Sequence, residues 1–396
     1  MPSKNPQFGV LYITSRMPYP PHSGGQLREY QLLRRLSART DVHLVVVTQF
    51  PEVDRLGITR MQEFCVNVVM VAADPVNGPR ANVPSRVWRQ SSSQAHRLIL
   101  ELHRRHAPSL VHVEGYYMMQ HLPGEVDVPI LLIEENVEYQ IDSQWEALLG
   151  ETDAAGWEKA AEMEVSMWRK ATVCGFVSED DLELAASVSP GLDVRLSPNG
   201  WDHLRQGWNE GPYKRAYCET LSALFVGNYS YRPSEDAASY LLKDVWPIVA
   251  SQVPNSQLTV AGACVSPKLS DLASATPQVV LAGFVPELSS LLDKCDVFVA
   301  PLRVGGGIKV KVLEAVSRGC PIVSTPLGVQ GLPPSVQELI SIGSEAYELA
   351  DAIVDLFSCR DRRQNVGARL RASTRKLPTW DEASTRLWSI WTSMLV

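Results

Sequence analysis

Short apolar runs alternate with amphipathic helical segments along the first half of the chain. A helix predicted at residues 26–39, for example, places Leu27, Tyr30 and Leu33 on one face. The apolar runs have the length and composition of buried strands. The strands predicted from them are residues 8–14, 42–48, 65–72, 109–113, 129–134 and 172–177. This alternation favours a parallel sheet covered by helices on both faces.

The alternation stops once and then begins again. Residues 202–219 are poor in aliphatic side chains and are interpreted as a connector. After it, the predicted strands are residues 222–227, 257–262, 278–283, 296–300 and 321–325. We therefore predict an α/β protein with two Rossmann-like, doubly wound parallel-sheet domains, whose default ligand site is the cleft between them. The predicted divisions are a first domain at 1–203, a linker at 204–220, a second domain at 221–377 and a final helix at 378–396.

The segment 301–319, which reads PLRVGGGIKVKVLEAVSRG, carries the most specific chemistry. A predicted strand is followed by three glycines and then by an apolar stripe with helical spacing. The free N–H groups and the positive dipole end of such a helix favour an anion. Lys311 and Glu314 share one face of the helix, where a cation suits phosphate and a carboxylate suits the paired hydroxyls of a sugar. The segment therefore predicts a nucleotide-diphosphate site, and a solvated surface pair is the alternative for the two side chains.

Composition places the chain among soluble globular proteins. Of its 396 residues 45% are hydrophobic and 20% are charged, which is enough apolar material for two cores. Its 7 cysteines are scattered and contain no CxxC pair, so we expect buried thiols in a reducing compartment rather than disulfides or a zinc site. No apolar stretch is long enough to span a bilayer and no signal peptide is recognisable, so a cytoplasmic location is expected.

The net charge of −7 conceals an asymmetry along the chain. Residues 1–110 carry 14 Lys and Arg against 7 Asp and Glu, whereas residues 111–220 carry 7 against 21. A basic first segment can steer an anionic partner or rest on the anionic inner face of a membrane. A plain solvated surface is the alternative, and nucleic-acid binding is not favoured because the basic residues are dispersed.

Several sequence blocks spread over nearly the whole chain match one family pattern. They are PPHSGG at 20–25, EENVEY at 134–139, VSEDD at 177–181, PNGWD at 198–202, the short FVG, WP and VAG pieces between 225 and 262, and GGGIKVKVLEA at 305–315. In these blocks the chain resembles the retaining glycosyltransferases of family four, also called glycosyl transferases group 1. The resemblance implies the GT-B fold, in which two Rossmann-like domains face a central cleft and a final helix crosses back to the first domain.

The resemblance also implies residue roles. Lys311 would hold the donor diphosphate and stabilise the charge that develops on it, while Glu314 would bind the ribose hydroxyls. Gly24 and Gly25 would let the first domain close over the phosphates. The remaining donor-binding candidates are Gly227, Asn228, Gly283, Phe284, Val285, Arg303, Gly305, Gly306, Gly307 and Ile308.

The chain departs from the family pattern at three positions. Gly306 stands where relatives often carry the first glutamate of a pair, and Asn228 stands where many carry an arginine. Glu135 replaces a histidine beside the donor sugar, where it would accept a proton from the acceptor or stabilise positive charge, or be no more than a loop-side carboxylate. His112 on the preceding strand is a second catalytic candidate, with a satisfied core histidine as its alternative.

The resulting prediction is an enzyme that transfers a sugar from a UDP-, GDP- or dTDP-linked donor to an acceptor hydroxyl with retention of anomeric configuration. It needs no bound metal or cofactor, since the nucleotide-sugar is a co-substrate. The acceptor stays open between a polysaccharide, a lipid-linked glycan and a small natural product, and no nucleic-acid partner is expected. Two alternatives remain: a non-catalytic nucleotide-sugar-binding protein and a sugar-nucleotide epimerase of the same fold.

Overall fold

The computed structural model describes residues 8–75, 78, 82–150, 155–204 and 220–395. The chain divides into two compact units, the first comprising Met1–Asn199 with Trp380–Val396 and the second Gly200–Thr379. The first unit thus ends at residue 199, where the sequence suggested 203. Most of the suggested linker lies outside the described residues.

The first unit is built on a seven-stranded parallel sheet with strand order β3-β2-β1-β4-β5-β6-β7. Its strands are β1 (Gly9–Thr14), β2 (Asp41–Thr48), β3 (Asn67–Ala72), β4 (Leu110–Glu114), β5 (Ile130–Glu134), β6 (Val173–Phe176) and β7 (Val194–Leu196). The helices that connect them are α1 (Gly24–Leu36), α2 (Pro51–Asp54), α3 (Ile58–Met61), α4 (Ser85–Arg89), α5 (Ala95–His106), α6 (Glu138–Leu149), α7 (Trp157–Trp168) and α8 (Glu179–Val188).

The second unit is built on a six-stranded parallel sheet with strand order β10-β9-β8-β11-β12-β13. Its strands are β8 (Leu221–Val226), β9 (Ser256–Ala261), β10 (Val279–Gly283), β11 (Val297–Ala300), β12 (Ile322–Ser324) and β13 (Ser341–Ile342). Its helices are α9 (Arg232–Tyr240), α10 (Trp246–Gln252), α11 (Pro267–Ala275), α12 (Ser289–Leu292), α13 (Val310–Ser317), α14 (Pro334–Gln337), α15 (Ala346–Ser358) and α16 (Arg360–Ser373). A π-helical turn, Leu241–Val245, joins α9 to α10.

Both sheets are covered on both faces, as the apolar strands predict. On β1, Val10 and Tyr12 pack into one apolar layer, and Leu11 and Ile13 pack into the layer on the opposite face. The second sheet shows the same alternation along β8 and β11. This confirms the predicted α/β class with two doubly wound parallel sheets.

The strand order reverses between β1 and β4 in the first sheet and between β8 and β11 in the second. Loops that leave neighbouring strands in opposite directions open a crevice at the carboxyl ends of those strands. Each unit therefore has one position in its own sheet that is suited to a ligand.

The last helix, α17 (Trp380–Ser393), belongs to the first unit. Trp380, Leu387 and Trp391 are fully buried in the same apolar layer as Val10 of β1. The apolar spacing of this helix is therefore explained by packing onto the first sheet.

One predicted helix boundary differs from the structure, and one helix was missed. Helix α1 begins at Gly24 instead of residue 26, because the Ser23 hydroxyl accepts from the N–H of Gln26 and caps the helix two residues earlier. Helix α6 was not predicted, since Asp142 is buried on its inner face and interrupts the apolar pattern. The sequence also predicts an acidic amphipathic helix at residues 152–170; α7 lies within this range, and residues 152–154 lie outside the described residues.

Four cysteines, Cys65, Cys174, Cys295 and Cys320, are buried, and Cys218 lies outside the described residues. Within the described part of the chain, every helix is too short or too polar to cross a bilayer.

Candidate functional site

In the second unit, two loops lie side by side at the switch point because β8 and β11 are hydrogen-bonded neighbours. One loop begins with Gly227 and Asn228, and the other contains the three glycines. Gly227 packs tightly against α9, since a Cβ atom there would lie 3.0 Å from the Cβ of Ser234. The first turn of α9 is thereby held close to the end of β8.

The glycine loop leads directly into α13. Gly305 and Gly307 have φ angles of 153° and 59°, in the region that glycine adopts without a steric penalty. The ammonium of Lys309 donates to the carbonyl oxygens of Gly306 and Gly307, each at 2.9 Å. No side chain caps α13, which begins at Val310, so the N–H groups of its first turn suit an anion.

Lys311 lies in that first turn and is partly buried. Its Nζ atom is 5.3 Å from the ring centroid of Phe225 and 3.5 Å from the Ser234 hydroxyl, at the long limit of a hydrogen bond. Desolvation lowers the pKa of Lys311 from 10.5 to about 8, and the nearby Glu314 partly opposes this shift. When neighbouring groups compensate the desolvation of a cation only in part, an approaching anion stabilises its charged form strongly.

Glu314 has a partner that the sequence did not indicate. One of its carboxylate oxygens, Oε1, lies 2.8 Å from Nε2 of His203, and the two side chains are 13% and 7% exposed. His203 belongs to the short 3₁₀ turn Asp202–Leu204, which begins at the last residue of the PNGWD block. Since a carboxylate accepts through two oxygens, this contact orients Glu314 and leaves it acceptor capacity for hydroxyl groups.

Arg303 and Asn228 make contacts within the second unit that compete with a role at the ligand. Arg303 forms a two-point ion pair with Asp236 of α9, and its guanidinium lies 4.6 Å from the ring centroid of Tyr240. The Asn228 side chain accepts from the N–H of Ser230 at 3.1 Å and from its hydroxyl at 2.8 Å. These contacts fix the loops on either side of the switch point.

Three of the donor-binding candidates, Gly283, Phe284 and Val285, lie at or directly after the end of β10, at the carboxyl edge of the same sheet. Gly283 has a φ of 64°, and its carbonyl accepts from the N–H of Gly262 at 2.7 Å. Phe284 is 54% exposed, whereas Val285 and Ile308 pack against one apolar cluster. A large exposed aromatic ring beside a left-handed glycine provides a flat apolar surface of the kind that a base can stack on.

In the first unit, the carboxylate of Glu135 lies against Gly25 at the N-terminus of α1. A Cβ atom on Gly25 would lie 2.6 Å from Oε2 and 2.8 Å from Oε1 of Glu135. Gly24, the first residue of the helix, is exposed. Burial raises the pKa of Glu135 to about 7, repulsion from Glu114 adds to this, and Arg28 opposes it. A carboxyl group that ionises near neutrality can exchange a proton with a substrate at physiological pH.

Beneath Glu135, the inner face of α1 carries buried charged groups. Glu29 accepts from the hydroxyl of Thr14 at 2.9 Å, and burial raises its pKa. Arg28 donates to three acceptors in the segment 197–199: Ser197 Oγ at 2.7 Å, Pro198 O at 3.1 Å and Asn199 Oδ1 at 2.9 Å. The beginning of the PNGWD block therefore serves in this chain to bind a buried arginine.

The surroundings of His112 favour the alternative of a core histidine over the predicted catalytic role. Its side chain is completely buried on β4, and its ring stacks on Tyr12 with a centroid distance of 4.1 Å. Nε2 lies 2.8 Å from Glu114 and Nδ1 accepts from Trp391 at 3.0 Å, so both ring nitrogens are occupied. Burial also lowers the pKa of His112, which favours the neutral imidazole of a core hydrogen-bond network.

A comparison with known protein families gives a match inside the second unit. Residues 220–359 match the family described as glycosyl transferases group 1. The second unit carries a group 1 glycosyltransferase domain. The segment with the glycine loop, Lys311 and Glu314 lies inside the group 1 domain. A curated relative, an uncharacterized 44.6 kDa protein in the cps region of Klebsiella pneumoniae, is 25% identical over 150 residues, which span 36% of this chain and 39% of that protein.

Solved structures confirm the predicted GT-B fold class, with one Rossmann-like sheet in each unit. Sucrose-phosphate synthase from Thermosynechococcus elongatus is 15% identical with a TM-score of 0.69, and the match covers 98% of this chain and 99% of that one. Anabaena Alr3699/HepE in complex with UDP and glucose is 12% identical with a TM-score of 0.68, covering 98% and 100%. A putative UDP-N-acetylglucosamine 2-epimerase from Listeria monocytogenes is 11% identical with a TM-score of 0.61, covering 98% and 95%.

Sequence reasoning missed three residues around the two candidate centres. His203 and Arg28 act through partners that are 111 and up to 171 residues away, so neither contact has a local signal. Lys309 stands inside the recognised motif, and a lysine in the position directly before the helix is the local signal that could have identified it.

Proposed function

We propose that the chain transfers a sugar from a nucleotide-diphosphate donor to an acceptor hydroxyl, with retention at the anomeric carbon and without a bound metal. The observation that carries the proposal is Lys311, a partly buried cation in the first turn of an uncapped helix, within the group 1 domain. The sugar, the base and the acceptor are left open between the classes named above.

The donor half of the reaction rests on the second unit. The leaving diphosphate gains negative charge as the glycosidic bond breaks, and fixed N–H groups together with Lys311 stabilise that charge without reorganising. Glu314, oriented by His203, binds the paired hydroxyls of the ribose. UDP is the first nucleotide to test, since Alr3699/HepE was solved with UDP bound.

The acceptor half is proposed for Glu135 of the first unit. With a pKa of about 7, its carboxylate is present in a large fraction at neutral pH. It then accepts the proton of the acceptor hydroxyl or stabilises the positive charge that develops at the anomeric carbon. Gly25 provides the space for this carboxylate, which gives the PPHSGG block a physical role in the chain.

A donor screen followed by a turnover assay tests the proposal. Thermal shifts are measured against UDP-, GDP- and dTDP-sugars, because a bound donor stabilises the folded state increasingly as its concentration rises above its dissociation constant. Release of nucleotide from the best donor is then compared between wild type, Lys311→Ala and the control Lys268→Ala, which changes an exposed lysine of α11. We expect release by the wild type and the control, and none by Lys311→Ala.

The same assay separates the alternatives. Binding without release, for every donor and acceptor offered, would support a non-catalytic binding protein. NMR of the sugar after incubation with the donor alone would reveal an epimerase by inversion at a ring carbon other than the anomeric one. An inverted anomeric centre in the transfer product contradicts retention, and the absence of binding by any donor contradicts the proposal as a whole.

A further inference from the structure

Lys309 is almost completely buried, with 9% of its surface exposed, and it occupies the position immediately before α13. Lysine is a poor residue for such a position, since serine, threonine and aspartate cap helices and lysine has no acceptor to offer. Its ammonium turns back into the glycine loop, where it donates to the carbonyls of Gly306 and Gly307. Burying an ammonium is costly even when it is hydrogen-bonded, so folding stability is a weak explanation of this lysine.

Because each peptide bond is planar, the two carbonyl contacts of Lys309 also determine the direction of two backbone N–H groups. In a planar trans peptide the C=O of one residue and the N–H of the next point in opposite directions. The carbonyls of Gly306 and Gly307 both point at the ammonium of Lys309. The N–H groups of Gly307 and Ile308 therefore point away from it.

Glycine makes this arrangement possible and also makes it unstable without support. Gly305 and Gly307 have positive φ angles, so the loop uses conformations that only glycine adopts readily. Three consecutive glycines also have many other accessible conformations in which the two N–H groups point elsewhere. A Cβ on Gly305 would lie 3.7 Å from Cε of Lys309, so the lysine stem packs along the loop that its head group holds.

Lys311 does not share these contacts. Its Nζ lies beside Phe225 and Ser234, on the side of β8 and α9. The two lysines of the motif thus have different surroundings: one ammonium is bound to loop carbonyls, and the other lies among an aromatic ring, a hydroxyl and Glu314.

We propose that Lys309 is a positioning residue: it fixes the glycine-loop peptides so that the N–H groups of Gly307 and Ile308 face the donor diphosphate. Oriented backbone N–H groups of this kind form anion-binding concavities, and hydrogen bonds to a charged phosphate are stronger than neutral ones. The inference rests on the proposed function, because it needs a diphosphate ligand in the second unit. It assigns the contact with phosphate to the backbone and not to the Lys309 side chain.

Three variants test this role: Lys309→Met removes the donors but keeps the stem, Lys309→Arg restores donors, and Lys268→Met makes the same change at an exposed position. The probes are the nucleoside diphosphate with the largest thermal shift and the matching nucleoside, with the first measured by calorimetry and the second by ligand-observed NMR. We expect Lys309→Met to lose at least about tenfold in diphosphate affinity, as for loss of a hydrogen bond to a charged group, with nucleoside binding unchanged. Lys309→Arg should recover most of the loss, and Lys268→Met should bind as the wild type does.

A second measurement needs no variant and so holds even if Lys309→Met fails to fold. In wild-type protein labelled with ¹⁵N-glycine and ¹⁵N-isoleucine, the amide protons of Gly307 and Ile308 should move downfield when the nucleoside diphosphate binds. Unmoved amides overturn the inference, and so does equal loss of nucleoside and diphosphate affinity in Lys309→Met, which would indicate general distortion. A wild-type protein that binds the diphosphate and a Lys309→Met variant that binds it equally well would overturn the inference alone. No binding by the wild type would remove the proposed function itself.

Discussion

The affinity for the donor nucleotide should depend on pH in a way that identifies Lys311. In the free protein, desolvation lowers the pKa of this lysine to about 8, so it loses its charge as the pH rises through that value. A bound diphosphate places two negative groups beside the ammonium and returns its pKa towards 10.5 or above. Binding is therefore coupled to proton uptake wherever the free lysine is already partly neutral.

The magnitude follows from these two pKa values. At pH 7 about nine tenths of Lys311 is charged and at pH 9 about one tenth, so nucleoside diphosphate affinity should fall about tenfold between them. At pH 8.5 binding should take up about 0.7 proton per nucleotide, whereas at pH 7 it should take up about 0.1. Glu314, which opposes the desolvation of Lys311, is the ionised neighbour that sets how far the free pKa can fall.

Calorimetry checks both numbers. Dissociation constants are measured from pH 7 to pH 9, and proton uptake is obtained from buffers with different ionisation enthalpies. Lys311→Met is the matched variant, because it keeps the stem and cancels any titration of the nucleotide or of other groups. A wild-type affinity that is flat over this range, or a Lys311→Met profile with the same slope, would refute the assignment of the phosphate contact to Lys311.

Four further predictions concern the residues around the two centres. Glu135→Gln should slow turnover by at least about tenfold with little change in donor affinity. It should also remove the rise of kcat that we expect as the pH increases towards 7. A variant with the wild-type pH profile would indicate that Glu135 is only a loop-side carboxylate. The same substitution should raise the melting temperature at pH 8 but not at pH 5, because a folded-state pKa raised from 4.5 to about 7 means that ionisation destabilises the fold above that window. Gly25→Ala should lower kcat, because the added Cβ displaces the Glu135 carboxylate. The melting temperature should stay within about 2 °C of the wild type, because alanine suits a helix at least as well as glycine. Unchanged kcat would show that this position of the carboxylate is not needed. His203→Ala should weaken nucleoside diphosphate binding by several-fold with no effect on inorganic pyrophosphate, since it releases Glu314 and not the phosphate site; an equal loss for both ligands would contradict that separation.

Strand positions were predictable from the sequence because each parallel strand is buried on both faces and so forms a continuous apolar run. The run at 296–300, for instance, contains β11, and the run at 222–227 nearly coincides with β8. Strand order was not predictable from such runs, since it depends on which neighbours pair across the sheet. The switch point that brings the loop after β8 beside the glycine loop therefore came from the structure and the general rule for doubly wound sheets.

Helix boundaries were predictable only where capping agreed with residue propensity. The predicted helix at 26–39 excludes Gly24 and Gly25, in keeping with the poor helix propensity of glycine, yet the Ser23 cap draws both into α1. The consequence is chemical as well as structural. It places Glu135 at a helix N-terminus instead of beside an irregular loop.

Site residues were predictable where the chemistry is local and hidden where it depends on distant pairs. The anion site followed from glycines, a lysine and a helix start within one short segment. His112 could not be assigned from its own strand, because the Trp391 that occupies Nδ1 comes from the last helix of the chain. The partner of Glu314 was hidden for the same reason, since His203 precedes it by 111 residues.

The three glycines and two lysines of the motif are best understood together. A loop of three glycines can approach a phosphate closely because it has no side chains, but for the same reason it has no side chain with which to fix its own peptides. Lys309 supplies that constraint from the position next to the loop, and it can do so only because its ammonium is bound to the carbonyls of Gly306 and Gly307. Lys311 is then the lysine left to meet the anion, which explains why one segment carries two lysines and why the buried one contacts carbonyl oxygens. The pH dependence of donor binding should accordingly come from Lys311, and the geometry of the N–H donors from Lys309.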